Sequence, residues 1–190
     1  MIFLASSSPR RAELLQQIGI EFEVIAVDID ETPQADEAVI DYVRRMAETK
    51  ARAGAQLLTE QGLNQAVLAA DTIIAIDDKI IGKPADRLAC QTILSQLSAR
   101  EHQVISAVAL SIDGKLALKV SINRVWFKPL GNREIQSYCA MEEPMDKAGA
   151  YAIQGRAAIF IKHLEGSYSS VMGLPLYETA ELLQDAGISV

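Results

Sequence analysis

The chain has 190 residues, a net charge of −7, and 49% hydrophobic against 23% charged residues. This is the composition of an ordinary globular protein, long enough for one domain or for two small lobes sharing one core. The acidic balance argues against a sequence-independent nucleic-acid binder, which needs a basic footprint, and no apolar run is long enough to span a bilayer. Met1-Ile2-Phe3-Leu4 has neither the basic start nor the apolar length of a signal peptide. Cys90 and Cys139 lie far apart without C-x-x-C spacing and read as buried free thiols in a reducing compartment. His102 and His163 show no metal-ligand spacing.

Taken in chain order, Ile2 to Ala5 reads as a strand and Ala12 to Ile18 as an amphipathic helix. Ser6-Ser7-Ser8-Pro9-Arg10-Arg11 joins them. Pro9 suits a first helical turn and Ser8 suits an N-cap. Hydroxyls, free N–H groups and two guanidinium groups at a helix start make a phosphate-binding arrangement, against which stands a capped helix with two solvated arginines. Gly19 stops the helix, and Phe22 to Val27 predicts a second strand. Asp28, Asp30 and Glu31 follow, either as a solvated acidic turn or as oxygen ligands for a hard cation.

Asp36 to about Leu58 predicts a long helix with Val39, Val43 and Met46 on its apolar stripe. Lys50 continues that stripe and either snorkels past the core edge or reaches into a cleft. Ala66 to Ile76 is a near-continuous apolar run, as expected of a strand buried on both faces. Asp71 sits in its middle. A buried carboxylate must be paired, bind metal or face a solvated cavity; the rival is one consumed in backbone hydrogen bonds at a bulge. Asp77-Asp78 makes a turn into a short strand, and Gly82-Lys83-Pro84 presents Lys83 from a stiff loop, although a surface lysine is the plainer reading.

Asp86 is expected to cap a helix packing Ala89, Ile93 and Leu97 inward. Asp113-Gly114 marks a hairpin between two alternating runs, with Leu116, Leu118, Val120 and Ile122 on the buried face of the second. Trp126 reads as core or interface packing. Asn132 to Ala140 predicts a helix with Ile135, Tyr138 and Cys139 inward. The small-residue stretch from Glu142 to Gly155 lets backbone lie close to a ligand or another strand, and Gln154 there suits a base edge or is an exposed amide. Ala157 to Lys162 reads as a strand. A last helix after Pro175 turns Leu176, Ala180 and Leu183 inward.

These pieces make an α/β domain with mixed strands. Four cations (Arg10, Arg11, Lys50, Lys83) and two acids (Glu31, Asp71) suit a polyphosphate with a divalent metal. Four stretches then resemble the Maf family of nucleoside triphosphate pyrophosphatases: Leu4 to Arg11, Ala70-Asp71-Thr72, Gly82-Lys83-Pro84, and Asp146 to Gly155. Gly173-Leu174-Pro175 extends the likeness towards the end of the chain.

The resemblance implies one domain over residues 1–190, with a two-lobed mixed-sheet α/β fold similar to inosine-triphosphate pyrophosphatases and a substrate cleft between the lobes. It implies a cytoplasmic, dimeric enzyme that cleaves a nucleoside triphosphate to monophosphate and diphosphate with Mg²⁺ or Mn²⁺. By motif position Asp71 is similar to the proton acceptor. Ser6, Arg10, Arg11, Lys50 and Lys83 match substrate-site positions, and Glu31 matches one suited to the metal. Arg10, Thr72 and Gln154 resemble the specificity trio of the branch acting on dTTP and UTP. Modified pyrimidine nucleotides, or a nucleotide-binding regulator of cell division with incidental hydrolysis, are the alternatives.

Overall fold

A computed structural model describes all residues, 1–190. Strand β1 (Ile2–Ala5) leads into helix α1 (Pro9–Gln17), then β2 (Phe22–Ile25) and the long α2 (Val39–Glu60). β3 (Val67–Ile76) and β4 (Lys79–Ile81) precede α3 (Arg87–Leu97), β5 (Glu101–Ile112) and β6 (Lys115–Phe127). α4 (Asn132–Cys139), β7 (Ile161–Glu165), α5 (Tyr168–Met172) and α6 (Leu176–Asp185) complete the chain. The seven strands form one mixed sheet in the order β2-β1-β3-β5-β6-β7, with β4 also paired to β3. β1 lies parallel to both β2 and β3, which is why all four of its residues are buried. No helix is long and apolar enough to cross a membrane.

The chain divides into two compact units. The first comprises Met1–Thr72, Ser106–Ser121 and Gly173–Val190; the second comprises Ile73–Ile105 and Ile122–Met172. β3, β5 and β6 each contribute residues to both. In the first unit α2 packs tightly on the sheet at Gly54. A Cβ there would lie 2.8 Å from Val67 Cγ1 and 3.0 Å from Ile25 Cδ1. The stripe predicted for α2 holds for Val43 and Met46, but its buried face begins at Tyr42 instead of Val39 and runs on through Ala47, Ala51 and Leu58.

The second unit has its own aromatic core. His102, Phe127 and Tyr151 meet edge to face at centroid distances of 4.9–5.5 Å, a favoured aromatic geometry. Burial lowers the His102 pKa to about 4, so the ring is neutral at neutral pH. Trp126 is half-buried against the His163 ring, as expected of a packing residue.

Several local expectations hold. Asp86 caps α3 by accepting from the Ala89 N–H at 2.8 Å. Asp113 and Gly114 take φ values of 49° and 72°, the two-residue turn that a right-twisted hairpin prefers. Ile135, Tyr138 and Cys139 are the buried face of α4.

Others are corrected. Cys90 and Cys139 are not free thiols but a disulfide, with Cα atoms 5.8 Å apart. Spacing along the chain could not reveal this, because the pair forms only once α3 and α4 turn their buried faces into one cluster. The argument for a reducing compartment from free thiols therefore lapses. Ala157 is not in a strand: residues Arg156–Phe160 form a 3₁₀ turn, and β7 starts at Ile161. In β6, Ile122 is 50% exposed, whereas Ser121, Asn123, Val125 and Phe127 are buried. Asn123 tolerates burial because it is fully bonded, donating to Val104 O and Ser170 Oγ and accepting from Ser167 N–H. α3 buries Cys90, Leu94 and Leu97, and α6 buries Thr179, Leu182 and Leu183. Leu97 and Leu183 are as expected; Cys90 and Leu94 replace Ala89 and Ile93 in α3, and Thr179 and Leu182 replace Leu176 and Ala180 in α6.

Candidate active site in the first unit

Ser6, Arg10 and Arg11 occupy the turn from β1 into α1. Pro9 opens the helix, as expected. Ser8 stands at the N-cap position, but its hydroxyl makes no capping bond. Ser6 does the local work instead. Its buried Oγ accepts from the Ser8 N–H at 3.2 Å and from Arg11 Nη1 at 3.1 Å. A hydroxyl has two acceptor positions and one proton. Both acceptor positions are taken, which leaves the proton to donate outward. Arg11 Nε donates to Gly173 O at 2.8 Å, so two sides of its fork are held and the remaining N–H groups are left for an anion. Burial lowers the Arg11 pKa, opposed by the nearby Asp71 charge.

Gly173 supplies that carbonyl from a φ of +126°, open to glycine and strained for any side chain. Thr72 Oγ1 donates weakly to the same carbonyl at 3.3 Å and shares a 2.8 Å hydrogen bond with Ser106 Oγ. One backbone oxygen thus joins Thr72 to the cation Arg11.

Lys50 resolves its two readings in favour of the inward one. Its Nζ lies 2.8 Å from Asp71 Oδ1 and 2.7 Å from Glu31 Oε1. The Lys50 and Asp71 side chains are each 13% exposed and that of Glu31 57%. Asp71 is therefore a paired, half-buried carboxylate, one of the solutions that the apolar run of β3 demanded, and not one consumed at a bulge. The acidic cluster after β2 divides its roles. Asp30 accepts from the Thr32 N–H at 2.9 Å, closing a local turn, while Glu31 turns to Lys50.

Tyr42 was not anticipated. It lies on the same helical face as Met46 and Lys50, at successive i+4 steps. Its hydroxyl donates to Glu31 O at 2.9 Å and so fixes the backbone that carries the Glu31 carboxylate. Arg45 braces the same loop by donating to Thr32 O at 3.1 Å and forking onto Glu37. The i+4 register with Lys50 was the available sequence signal; its partner on the loop was not.

Of the anticipated residues, Ser6, Arg10, Arg11, Glu31, Lys50, Asp71 and Thr72 all belong to the first unit. Side-chain bonds connect Lys50 to both Glu31 and Asp71, and Arg11 to Ser6; Arg10 lies within electrostatic range of Arg11. Lys83 and Gln154 belong to the second unit, where both are exposed. There the Gly149 N–H donates to Gly82 O at 3.0 Å, tying the loop that carries Lys83 to the segment that leads to Gln154.

A mixed sheet, a strand–turn–helix with Arg11 bonded to Ser6, and a lysine held between two carboxylates define an α/β protein with a charged candidate site in its first unit. The chain belongs to the Maf family: the family model described as Maf-like protein matches residues 1–186. A dTTP/UTP pyrophosphatase of Aromatoleum aromaticum is 52% identical, over 98% of this chain and 95% of its own. Another, of Nitrosomonas europaea, is 48% identical over 100% and 96%. Among solved structures, the Staphylococcus aureus Ham1 protein is 16% identical with a TM-score of 0.45, over 66% of this chain and 71% of that one, a likeness too slight to bear on function.

Proposed function

We propose that this protein hydrolyses dTTP and UTP to the monophosphate and diphosphate, as one nucleotide pyrophosphatase domain over residues 1–190. The observation that carries this is Lys50, held between Asp71 and Glu31 beside Arg11, in a chain about half identical to dTTP/UTP pyrophosphatases over its full length. A protein that only bound anions would gain nothing from two carboxylates at such a place, which speaks against a purely regulatory role.

The reaction is attack of water on the α-phosphorus with diphosphate leaving. It asks little covalent chemistry of the protein, so positioning and charge neutralisation dominate. Ser6 donates its remaining proton to a phosphate oxygen. Arg11 offers the open part of its fork, and Arg10 and Lys83 add charge to the diphosphate. Lys50 holds Oδ1 of Asp71, which leaves Oδ2 to orient the water or accept its proton. General-base action of this kind contributes on the order of 10²–10⁴-fold.

The donor set suits Mg²⁺ or Mn²⁺. Glu31 and Asp71 supply hard oxygen, and no cluster of three or more His, Cys, Asp or Glu side chains forms a dedicated cage. Magnesium is commonly held by one or two carboxylates plus substrate phosphates. When bound, the metal would neutralise phosphate charge. Gln154, Thr72 and Arg10 set the base preference, with the Gln154 amide reading the carbonyl and N3–H of the pyrimidine. We also propose, on the family likeness, a homodimer working in the cytoplasm, where its substrates are.

The test is a nucleotide panel with Mg²⁺ or Mn²⁺, scored for phosphate with and without added inorganic pyrophosphatase. Signal on dTTP and UTP only with the helper enzyme is the expected result. No turnover on any nucleotide overturns the proposal, and phosphate released without the helper overturns the bond assignment.

A further inference from the structure

Gln154 stands at a tight corner. The Gly155 N–H donates to Ala152 O at 3.1 Å, so Ile153 and Gln154 are the two central residues of a turn. Gln154 is exposed, whereas Tyr151, Ala152 and Ile153 before it are buried. A long amide side chain reads a base edge only as sharply as its backbone is placed. What holds the far side of the turn is therefore a question of specificity.

Glu143 holds it. One carboxylate oxygen, Oε2, accepts from the backbone N–H of Arg156 at 3.1 Å. The other, Oε1, accepts from the Tyr138 hydroxyl at 2.8 Å. The carboxylate lies flat against Gly155: a Cβ there would sit 2.3 Å from Oε1, 2.5 Å from Cδ and 2.7 Å from Oε2. Gly155 has φ −100° and ψ −157°, extended backbone that any residue adopts, so glycine is present for the space and not for the conformation.

The anchor of this arm is firm. Tyr138 is 2% exposed. Burial, then its bond to Glu143, raises the pKa of its hydroxyl, which stays protonated as a donor; the Ala152 backbone contacts the same hydroxyl. The Tyr138–Glu143 pair thus reaches both ends of the turn, at Ala152 and at Gly155–Arg156. The pattern of two direct bonds and one close packing contact converging on the residues around Gln154 exceeds what satisfying one N–H requires.

We infer that Glu143 is a positioning residue for Gln154: its carboxylate fixes the Gly155–Arg156 backbone and thereby sets how sharply the enzyme prefers a uracil base over a purine. This rests on the reading of Gln154 as the base-reading residue, and the test separates the two. The readout is the ratio of kcat/KM for UTP to that for GTP, alongside the thermal midpoint of each variant. Gln154→Ala should collapse the ratio. Glu143→Ala should lower it about five- to thirtyfold, the effect of losing one or two hydrogen bonds of about 1 kcal/mol each. Glu143→Gln still offers an acceptor to the Arg156 N–H and should recover most of the loss. Tyr138→Phe, which removes only the donor, should lower the ratio about twofold and serves if Glu143→Ala folds poorly. In a Gln154→Ala background, Glu143→Ala should lower the ratio no further.

If Gln154→Ala collapses the ratio but Glu143→Ala and Tyr138→Phe leave it unchanged, the role of Glu143 is overturned and the base reading stands. If kcat/KM falls equally for both nucleotides, Glu143 is merely structural and the inference is likewise overturned. If Gln154→Ala leaves the ratio intact, the base reading fails and this inference fails with it.

Discussion

The two units hold their functional side chains in different ways. In the first, the side chains hold one another: Lys50 bridges Asp71 and Glu31, and Arg11 is clamped by Ser6 and Gly173. In the second, Lys83 and Gln154 stand exposed and the backbone beneath them is what is bonded, at Gly82–Gly149 and at Glu143–Arg156. Charges that meet a reacting phosphate gain from being fixed before the substrate arrives, since their reorganisation is then not part of the barrier. Under the role proposed for Gln154, a group that reads a base must still find its partner, and its support lies in the main chain. On that proposal the charges and the reader are preorganised by different means.

If that contrast is right, substitutions in the first unit should couple and those in the second should add. The largest effect is expected from Asp71→Asn, which keeps shape and removes charge: turnover of UTP should fall by about 10²–10⁴-fold. Combining it with Lys50→Met should cost far less than the product of the two single losses, because both disrupt one unit of function. Independent, multiplicative losses in steady-state kinetics would break the comparison.

A second effect belongs to the core of the second unit. His102 has a folded pKa of about 4, depressed by burial from an ordinary 6.5. Between those values the unfolded chain binds the extra proton, so stability is present above pH 6.5 and is lost as pH falls towards 4. The loss from pH 7 to pH 5 should be about 2 kcal/mol. Urea midpoints at the two pH values measure it, and His102→Phe should flatten the difference. Hydrogen exchange at pH 5 should show Ile73–Ile105 and Ile122–Met172 loosening first.

Arg11→Lys keeps a positive charge but forfeits the planar fork that binds Gly173 O and Ser6 Oγ together. We expect about a tenfold loss in kcat/KM for UTP, with the thermal midpoint lowered as well. The smallest effect is expected at Lys83. Lys83→Ala should raise KM for UTP a few-fold and leave the thermal midpoint unchanged, because an exposed lysine contributes little to folding. Its effect should add to that of Gln154→Ala within about 0.5 kcal/mol; strong coupling would show that the second unit is wired like the first.

Much of the site was legible because its residues break local rules. Asp71 interrupts an apolar strand, Lys50 interrupts an apolar helical stripe, and each oddity needs a partner. That they partner each other was not legible, since a separation of 21 positions along the chain says nothing of distance in space. Tyr42 and Glu143 went unrecognised for a related reason: a tyrosine on a buried helix face and an acid before a proline are both locally ordinary. The reversed buried face in the second half of β6 had no local signal either, because Ser121 and Asn123 look like solvent-facing residues until the groups that bond Asn123 are known.

By itself the sequence determined the order and type of most elements, the turn from β1 into α1 opened by Pro9, and the family to which the chain belongs. Those rest on short-range physics: periodicity, capping, turn chemistry and motif spacing all act within a few residues. Only the tertiary structure decided that Lys50 stands between Asp71 and Glu31, that Gly173 O serves both Arg11 and Thr72, that Cys90 and Cys139 are joined, and that Glu143 lies on Gly155. Each joins residues whose meeting depends on how whole elements, or the turns between them, pack together, and no local preference encodes that.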